Sequence, residues 1–381
     1  MINRLFEIPK LIKTGKVLVI YGPRRVGKTT LLKDFLSHTN LKFKLDSGDN
    51  IRTQEIFNSQ RFSDLLPYAE GYELLAIDEA QQIKNIGMGL KILVDQKPEL
   101  IVIATGSSSF ELSQQIGEPL TGRKRTITLF PFSQQELLPI YNQHELKENL
   151  EEFLLYGSYP EVITAKSKNE KVEILNEIVN SYLLKDILSL ERIKGTKQIL
   201  DLLKLIAFQI GKEVSLNELA SQVKLDVKTV GRYLDLFEKS FILHKRSAFS
   251  RNLRKEIFSK SKYYFLDNGI RNGVILQFNR LKDRNDAGEL FENFFVMERA
   301  KYLLNNSIHR NLYFWRTYDG QEIDIIEEGD GKLLGLEVKY SDSARMIKKT
   351  LFTNTYDNSN VELVNKENYL KYLLKKFSLR S

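Results

Sequence analysis

The chain of 381 residues contains no cysteine, which removes disulfides, thiolate-bound metals and a cysteine nucleophile from its chemistry. It also lacks any run of eighteen apolar residues, so no membrane-spanning helix is expected. The first sixteen residues, MINRLFEIPKLIKTGK, interrupt every apolar stretch with a charge, which a secretory signal would not do. Together these absences lead to the expectation of a cytoplasmic protein with no membrane partner. A strong charge of one sign is missing too. Lys plus Arg number 57 against 49 Asp plus Glu, a formal surplus of +8. An excess this small is an ordinary solvated surface unless it is concentrated somewhere. The length suggests two or three domains, each with enough chain for a core.

What the chain does contain begins at Lys16. An apolar run, Val17 to Tyr21, is followed by Gly22-Pro23-Arg24-Arg25-Val26-Gly27-Lys28-Thr29-Thr30 and then by a helix-forming segment. Strand, glycine loop and helix in this order form a phosphate-binding loop. The glycines let backbone N–H groups turn inward, and the helix N-terminus adds partial positive charge. Residues 22–30 are thus expected to bind a nucleoside triphosphate, with Lys28 on the β- and γ-phosphates and the Thr29 hydroxyl on Mg²⁺. The plainer reading, a glycine turn opening a helix, would need no ligand.

Downstream, Leu74-Leu75-Ala76-Ile77 runs into Asp78-Glu79, the pattern of a buried parallel strand ending in two carboxylates. Open α/β sheets place ligands at such strand ends. Asp78 is then positioned to hold Mg²⁺ through its water shell, and Glu79 to polarise the attacking water. A third apolar strand, Leu100 to Ala104, ends in Thr105-Gly106-Ser107-Ser108-Ser109. Thr105 and Ser107 could sense the γ-phosphate, or the cluster could cap a helix beginning near Phe110. Arg123 precedes a β-rich run, Thr126 to Phe130, and is either an arginine finger or a solvated charge. Residues 1–15 read as an amphipathic helix with Leu5, Ile8, Leu11 and Ile12 on one face, Leu41 to Leu45 as a short strand, and Ser63 to Tyr68 as a polar helix.

The runs GPRRVGKTTLL, LLAIDEAQQI, IVIATGSSSFEL and LTGRKRTITLFPFS, in this order, resemble the bacterial and archaeal AAA-type ATP-binding proteins. The resemblance implies an α/β multidomain chain. Its expected parts are a P-loop AAA-type parallel-sheet core (1–140), a helical lid (141–195), a winged helix (196–275) and an αβββαβ restriction-endonuclease-like domain (280–381). It also implies that the strand bearing the hydroxyl sensor lies between the loop strand and the carboxylate strand.

The later segments carry their own signals. From Glu145 to about Gly195 the apolar spacing is helical, with Leu150, Phe153 and Leu154 on one stripe and Leu175, Ile178, Val179 and Tyr182 on another. Gly157-Ser158-Tyr159-Pro160-Glu161 interrupts them as a turn. Such a segment is either a lid over nucleotide or a plain linker. Lys197 to about Ile270 reads helix, helix, helix, hairpin. Asp226 is the expected N-cap of a helix to Lys239 whose Val227, Val230, Leu234 and Phe237 face the core. Lys224, Lys228 and Arg232, spaced by four, are expected to share a face beside them. The hairpin His244 to Lys262 holds seven Lys or Arg against one acid. Helices followed by a basic hairpin suit DNA contact, although winged helices also bind proteins and charged faces are often merely solvated.

The last part reads as a helix, Gly288 to Leu304, carrying Glu289, Glu292 and Glu298. Three β-rich runs follow (Leu312–Arg316, Glu322–Ile326, Leu333–Lys339), then a basic helix near Ala344 to Leu351, a strand Val361–Val364 and a final helix to about Phe377. Glu337-Val338-Lys339 places Glu and Lys on one strand face. Asp324, Glu337 and Lys339 match the family's D…ExK pattern, and Glu292 its helix glutamate. By that resemblance Glu292, Asp324 and Glu337 are metal ligands, and Asp324, Glu337 and Lys339 the catalytic set of a Mg²⁺-dependent nuclease. The leading reading is a Mg²⁺-dependent ATPase whose nucleotide state controls a winged-helix and nuclease-like module on DNA. The alternative is an ATP-dependent scaffold whose winged helix and inert nuclease-like domain bind a protein partner. A small-molecule phosphotransferase is a third, with no acceptor-pocket signal to support it.

Overall fold

The computed structural model describes residues 2–107, 119–183, 196–250, 261–317, 320–342 and 350–374. Arg4–Pro131 with Lys239–Phe241 form one compact unit, and the remaining described residues form a second. Among the described residues no helix is long and apolar enough to cross a membrane.

The first unit is built on a five-stranded parallel sheet in the order β2-β3-β4-β1-β5. Its strands are β1 Val17–Tyr21, β2 Phe43–Ser47, β3 Leu74–Asp78, β4 Ile101–Gly106 and β5 Lys124–Thr128. The central strands need apolar residues at every position because both faces are covered. Val17, Val19, Leu75, Ile77, Val102 and Ala104 pack on one side with Phe57, Leu90 and Leu93 from helices Ile51–Ser59 and Ile86–Gln96. Leu18, Ile20, Leu74, Ala76 and Ile103, pointing the other way, are buried as well. β4, which carries Thr105, pairs with both β1 and β3, the strand order that the resemblance implied.

Three local expectations shift. The helix expected over residues 1–15 is a single turn, Ile8–Leu11, because Pro9 cannot continue a helix from its N-terminal side, and Leu5 is left exposed. The strand expected at Leu41–Leu45 lies two residues later, at Phe43–Ser47. The fifth strand begins at Lys124 rather than Thr126.

The second unit opens with helices Gln143–Glu148, Leu150–Tyr156, Pro160–Thr164 and Lys168–Glu177. Leu150, Phe153, Leu154 and Leu175 are buried as their spacing implied. Helices Thr196–Phe208, Leu216–Val223 and Val227–Lys239 follow, with an antiparallel three-stranded sheet ordered β6-β8-β7. Here β6 is Glu213–Val214, β7 Leu243–Ser247 and β8 Ser261–Phe265. Asp226 caps the third helix, accepting from the Thr229 N–H at 2.9 Å. Val230, Leu234 and Phe237 are buried, but Val227, at the helix's first position, is 40% exposed. Lys224 is not on that helix: it is the left-handed C-cap of the preceding one (φ 55°), so it does not share a helical face with Lys228 and Arg232. Most of the basic hairpin, residues 251–260, lies outside the described residues.

The C-terminal part runs helix Ala287–Asn305, β9 Asn311–Arg316, β10 Glu322–Gly329, β11 Lys332–Val338, helix Thr350–Thr355, β12 Ser359–Val364 and helix Leu370–Leu374. Its sheet is ordered β12-β11-β10-β9, antiparallel except for the β11–β12 pair. Most of the basic helix expected near Ala344 and the end of the final helix fall outside the described residues.

Candidate functional site

The loop between β1 and helix Lys28–His38 depends on glycine at two different kinds of position. Gly22 has φ 150°, and a Cβ there would lie 2.1 Å from the Leu129 carbonyl oxygen. Gly27 has φ 90° and stands at the helix N-cap, where a Cβ would meet nothing within 4 Å. The loop wraps the Lys28 ammonium, which is buried and donates to the carbonyls of Gly22 (2.9 Å) and Pro23 (2.8 Å). Arg4 donates to the Val26 carbonyl, tying the preceding segment to the loop. Arg24 and Arg25 are partly exposed on the loop, Val26 is buried beneath it, and Thr30 is exposed one position beyond Thr29.

The carboxylates of β3 meet this loop through hydroxyl groups. Thr29 Oγ1 donates to Asp78 Oδ2 at 2.8 Å. Fully buried Thr105, on β4, donates to the other Asp78 oxygen and accepts the Glu79 N–H at 3.2 Å. Glu79 itself is in the left-handed region at φ 49°, and a Cβ on neighbouring Gly48 would lie 2.2 Å from its carbonyl oxygen. Gln81 was not singled out from the sequence. Its amide donates to the Glu79 carboxylate and to Ser107 Oγ (3.0 Å), while its oxygen accepts the Ser107 N–H at 3.3 Å. The only sequence signal for it is a polar residue in a tight turn two places after the carboxylate pair. Lys28, Thr29, Asp78, Glu79, Thr105 and Ser107 are thus gathered at the C-terminal ends of β1, β3 and β4, the sheet edge that takes ligands in open α/β folds. The helix expected near Phe110, with Ser107–Ser109 as its cap, lies outside the described residues.

Arg123 is placed elsewhere. It immediately precedes β5, which runs parallel to β1 with Lys124 beside Val17, so it sits at the opposite sheet edge from the loop. Five strand residues at ~3.3 Å each separate the two edges by about 16 Å, too far for one side chain to cross. Its guanidinium instead meets Asp95 at 2.5 Å. In this position Arg123 is paired as a partly solvated charge, the other reading that the sequence left open.

Asp324 lies beside the Glu337-Val338-Lys339 segment on the paired strands β10 and β11, and a lysine from β8 joins it there. Asp324 sits in a register irregularity of β10, between Ile323 and Ile326, and accepts the Val338 N–H at 2.7 Å. Glu292 accepts from Tyr264 Oη at 2.7 Å and from Lys262 Nζ at 3.2 Å. Lys262 Nζ also pairs with Glu322 and lies 3.8 Å from Asp324 Oδ1. Buried Glu337 meets Lys339 at 3.5 Å, and Lys339 is half exposed. Among the described residues no three His, Cys, Asp or Glu side chains are arranged to hold a metal ion. Of the expected metal set Glu292, Asp324 and Glu337, the first two have a lysine ammonium between them. Burial pushes Glu292 up to about 7, helped by the Asp324 charge and opposed by Lys262. Burial likewise raises Asp324, against the pull of Lys262. On Lys262 burial disfavours the charge, yet Glu292, Asp324 and Glu322 outweigh it and hold the ammonium above its ordinary pKa. Lys262 also leaves the basic hairpin face on which its charge was counted. Lys228 and Arg232, one turn apart on helix Val227–Lys239, remain exposed.

The chain is 28% identical over 393 residues to an uncharacterized protein of Methanocaldococcus jannaschii, covering 96% of this chain and 85% of that protein. It is 26% identical over 399 residues to an uncharacterized protein of Haemophilus influenzae, covering 98% and 93%. A solved structure described as a DNA replication initiation factor aligns with 59% of this chain and 83% of its own, at 16% identity and a TM-score of 0.25, too loosely to carry an argument. Residues 147–282 and 287–373 match two families described as domains of unknown function (DUF8612 and DUF4143). Residues 14–138, the stretch that holds the glycine loop and the five parallel strands, match the AAA domain family, which supports an AAA-type ATPase core in this part of the chain.

Proposed function

We propose that residues 1–140 form a Mg²⁺-dependent ATPase whose nucleotide state controls a winged-helix and restriction-endonuclease-like module acting on DNA in the cytoplasm. The observation that carries this reading is the run of hydrogen bonds from Thr29 through Asp78 to Thr105 and on to the Glu79 backbone. It gathers loop, oxygen donors and base at one end of one sheet. In this reading the N–H groups of residues 22–30 and the Lys28 ammonium bind the β- and γ-phosphates of ATP. Thr29 and Asp78 offer two hard oxygen donors 2.8 Å apart, which suits an ion that keeps most of its other ligands as water and phosphate. When bound, Mg²⁺ would neutralise phosphate charge as the bond to the leaving group breaks. Glu79 draws the proton from the attacking water, and Thr105 and Ser107 report the γ-phosphate across β4. Residues 141–195 act as lid, 196–275 as winged helix and 280–381 as the restriction-endonuclease-like domain. Exposed Lys228 and Arg232 support DNA contact through phosphate.

The test is phosphate release with and without DNA, in the wild type, Lys28→Ala and Glu79→Gln. Lys28→Ala should weaken ATP binding and turnover together. Glu79→Gln should keep ATP bound and stop its hydrolysis. Equal turnover in all three would remove the site assignment.

A second reading, an ATP-dependent scaffold that binds a protein partner through an inert nuclease-like domain, is favoured by the lysine between Glu292 and Asp324. ATP turnover insensitive to DNA, with ATP-dependent retention of a protein, would select it.

A further inference from the structure

We propose that Lys262 is a built-in cation standing where a divalent metal would be needed, so that the C-terminal acidic cluster clamps strand β8 rather than cutting phosphodiesters. This does not depend on ATP hydrolysis.

Lys262 arrives from the central strand of the β6-β8-β7 sheet, whereas its partners belong to the C-terminal part: Glu292 on helix Ala287–Asn305, and Glu322 and Asp324 on β10. The lysine side chain is only 1% exposed. Its Nζ meets Glu292 at 3.2 Å and Asp324 at 3.8 Å and pairs directly with Glu322. Glu292 and Glu322 lie within hydrogen-bonding distance of the ammonium, and Asp324 adds its charge at 3.8 Å. Other donors also reach these carboxylates. Tyr264 donates to Glu292, Val338 N–H to Asp324, and Arg316 lies 4.0 Å from Glu322. A hard divalent ion needs several convergent oxygen ligands, and here those oxygens already face a cation that cannot diffuse away.

The surrounding contacts fit a clamp. Just beyond β7, Phe249 donates its N–H to the Phe314 carbonyl of β9 and packs into the core cluster of Trp315, Ile323 and Phe352. Lys262 Nζ itself lies 5.5 Å from the centre of the Phe314 ring. To admit a metal among Glu292, Glu322 and Asp324, β8 would have to withdraw its lysine.

Mn²⁺ binding to the full chain without nucleotide, followed by electron paramagnetic resonance, tests the proposal. Wild type and Asp324→Asn should bind Mn²⁺ alike, because the cluster is closed in both. Lys262→Met should bind at least about tenfold more tightly than wild type, a difference of ~1.4 kcal/mol, and Lys262→Met/Asp324→Asn should lose that gain. Wild-type Mn²⁺ binding, or Mn²⁺-dependent DNA cleavage, that Asp324→Asn abolishes would overturn the proposal without requiring any lysine variant to fold. A folded Lys262→Met that gains no Mn²⁺ affinity would overturn it equally.

Discussion

The Thr29 hydroxyl donates to Asp78 at 2.8 Å, joining the first turn of the loop helix to the end of β3. These two residues are 49 positions apart in the chain, and only the parallel sheet brings them together. Because they form one unit, their effects should not add. Thr29→Ala and Asp78→Ala are each expected to lower Mg²⁺-dependent turnover by about tenfold or more, ~1.4 kcal/mol or above. The double variant should be little worse than the worse single one, and Thr29→Ser should keep most activity. Steady-state phosphate release at saturating Mg²⁺ and ATP measures this, and simple additivity would separate the two roles.

Gln81 links Glu79 to Ser107, so the proposed base and the proposed sensor strand share one amide. Gln81→Ala is expected to lower kcat while leaving KM for ATP near its wild-type value, because the amide touches the base and not the loop. Gln81→Glu should resemble it, since a carboxylate cannot donate to Glu79. An equal rise in KM for both variants would instead place Gln81 in nucleotide binding.

What could be read in advance followed from local chemistry. Val17–Tyr21 and Leu74–Asp78 are legible because strands covered on both faces need apolar residues throughout, and Gly22 to Thr29 because phosphate needs a glycine loop at a helix start. Gln81 was not legible because a single polar residue in a turn carries no period. Arg123 stayed open between finger and solvated charge because distance along the chain does not say at which end of a strand a residue sits. Lys262 misled for a related reason. A run of basic residues looks like a solvated face until a neighbouring sheet supplies carboxylates from sixty positions further on, as Glu322 and Asp324 do.

The two loop glycines should differ in their tolerance of a methyl group. At Gly22 a Cβ would collide with the Leu129 carbonyl at 2.1 Å, and φ is 150°; at Gly27 only the φ of 90° opposes it. Gly27→Ala is expected to cost about 1–3 kcal/mol of backbone strain. Gly22→Ala should cost more and also displace the loop from β5, removing ATP binding. Urea unfolding and ATP titration of both variants check the order, and a milder Gly22→Ala would contradict the geometry.

Asp46 should make the first unit acid-sensitive. Burial disfavours its charge, but the nearby Thr53 hydroxyl and hydrogen bonds from Tyr68, the Ser47 N–H and Asn50 outweigh that and hold its pKa below the ordinary 3.8. Tyr68 Oη donates to it at 2.8 Å. With the folded pKa below the unfolded one, the contribution to stability is present above 3.8 and is lost as pH falls through the lower folded value. Asp46→Asn should therefore be less stable than wild type near neutrality, and the two should converge in acid. Unfolding midpoints measured across that range test it, and a constant difference would exclude the linkage.

Arg123 offers the sharpest contrast between pattern and position. Its pair with Asp95 at 2.5 Å is partly solvent-exposed on both sides, so it is worth at most about 1 kcal/mol, and Arg123→Ala should change stability little. Since Arg123 lies at the sheet edge remote from Lys28, Arg123→Ala is also expected to leave ATP turnover unchanged in dilute protein. Turnover measured over a wide range of protein concentration separates the alternatives. A loss that grows with concentration would assign Arg123 to the nucleotide of a neighbouring copy. A large loss independent of concentration would mean that the arginine reaches its own nucleotide, which the parallel pairing of β1 and β5 does not allow.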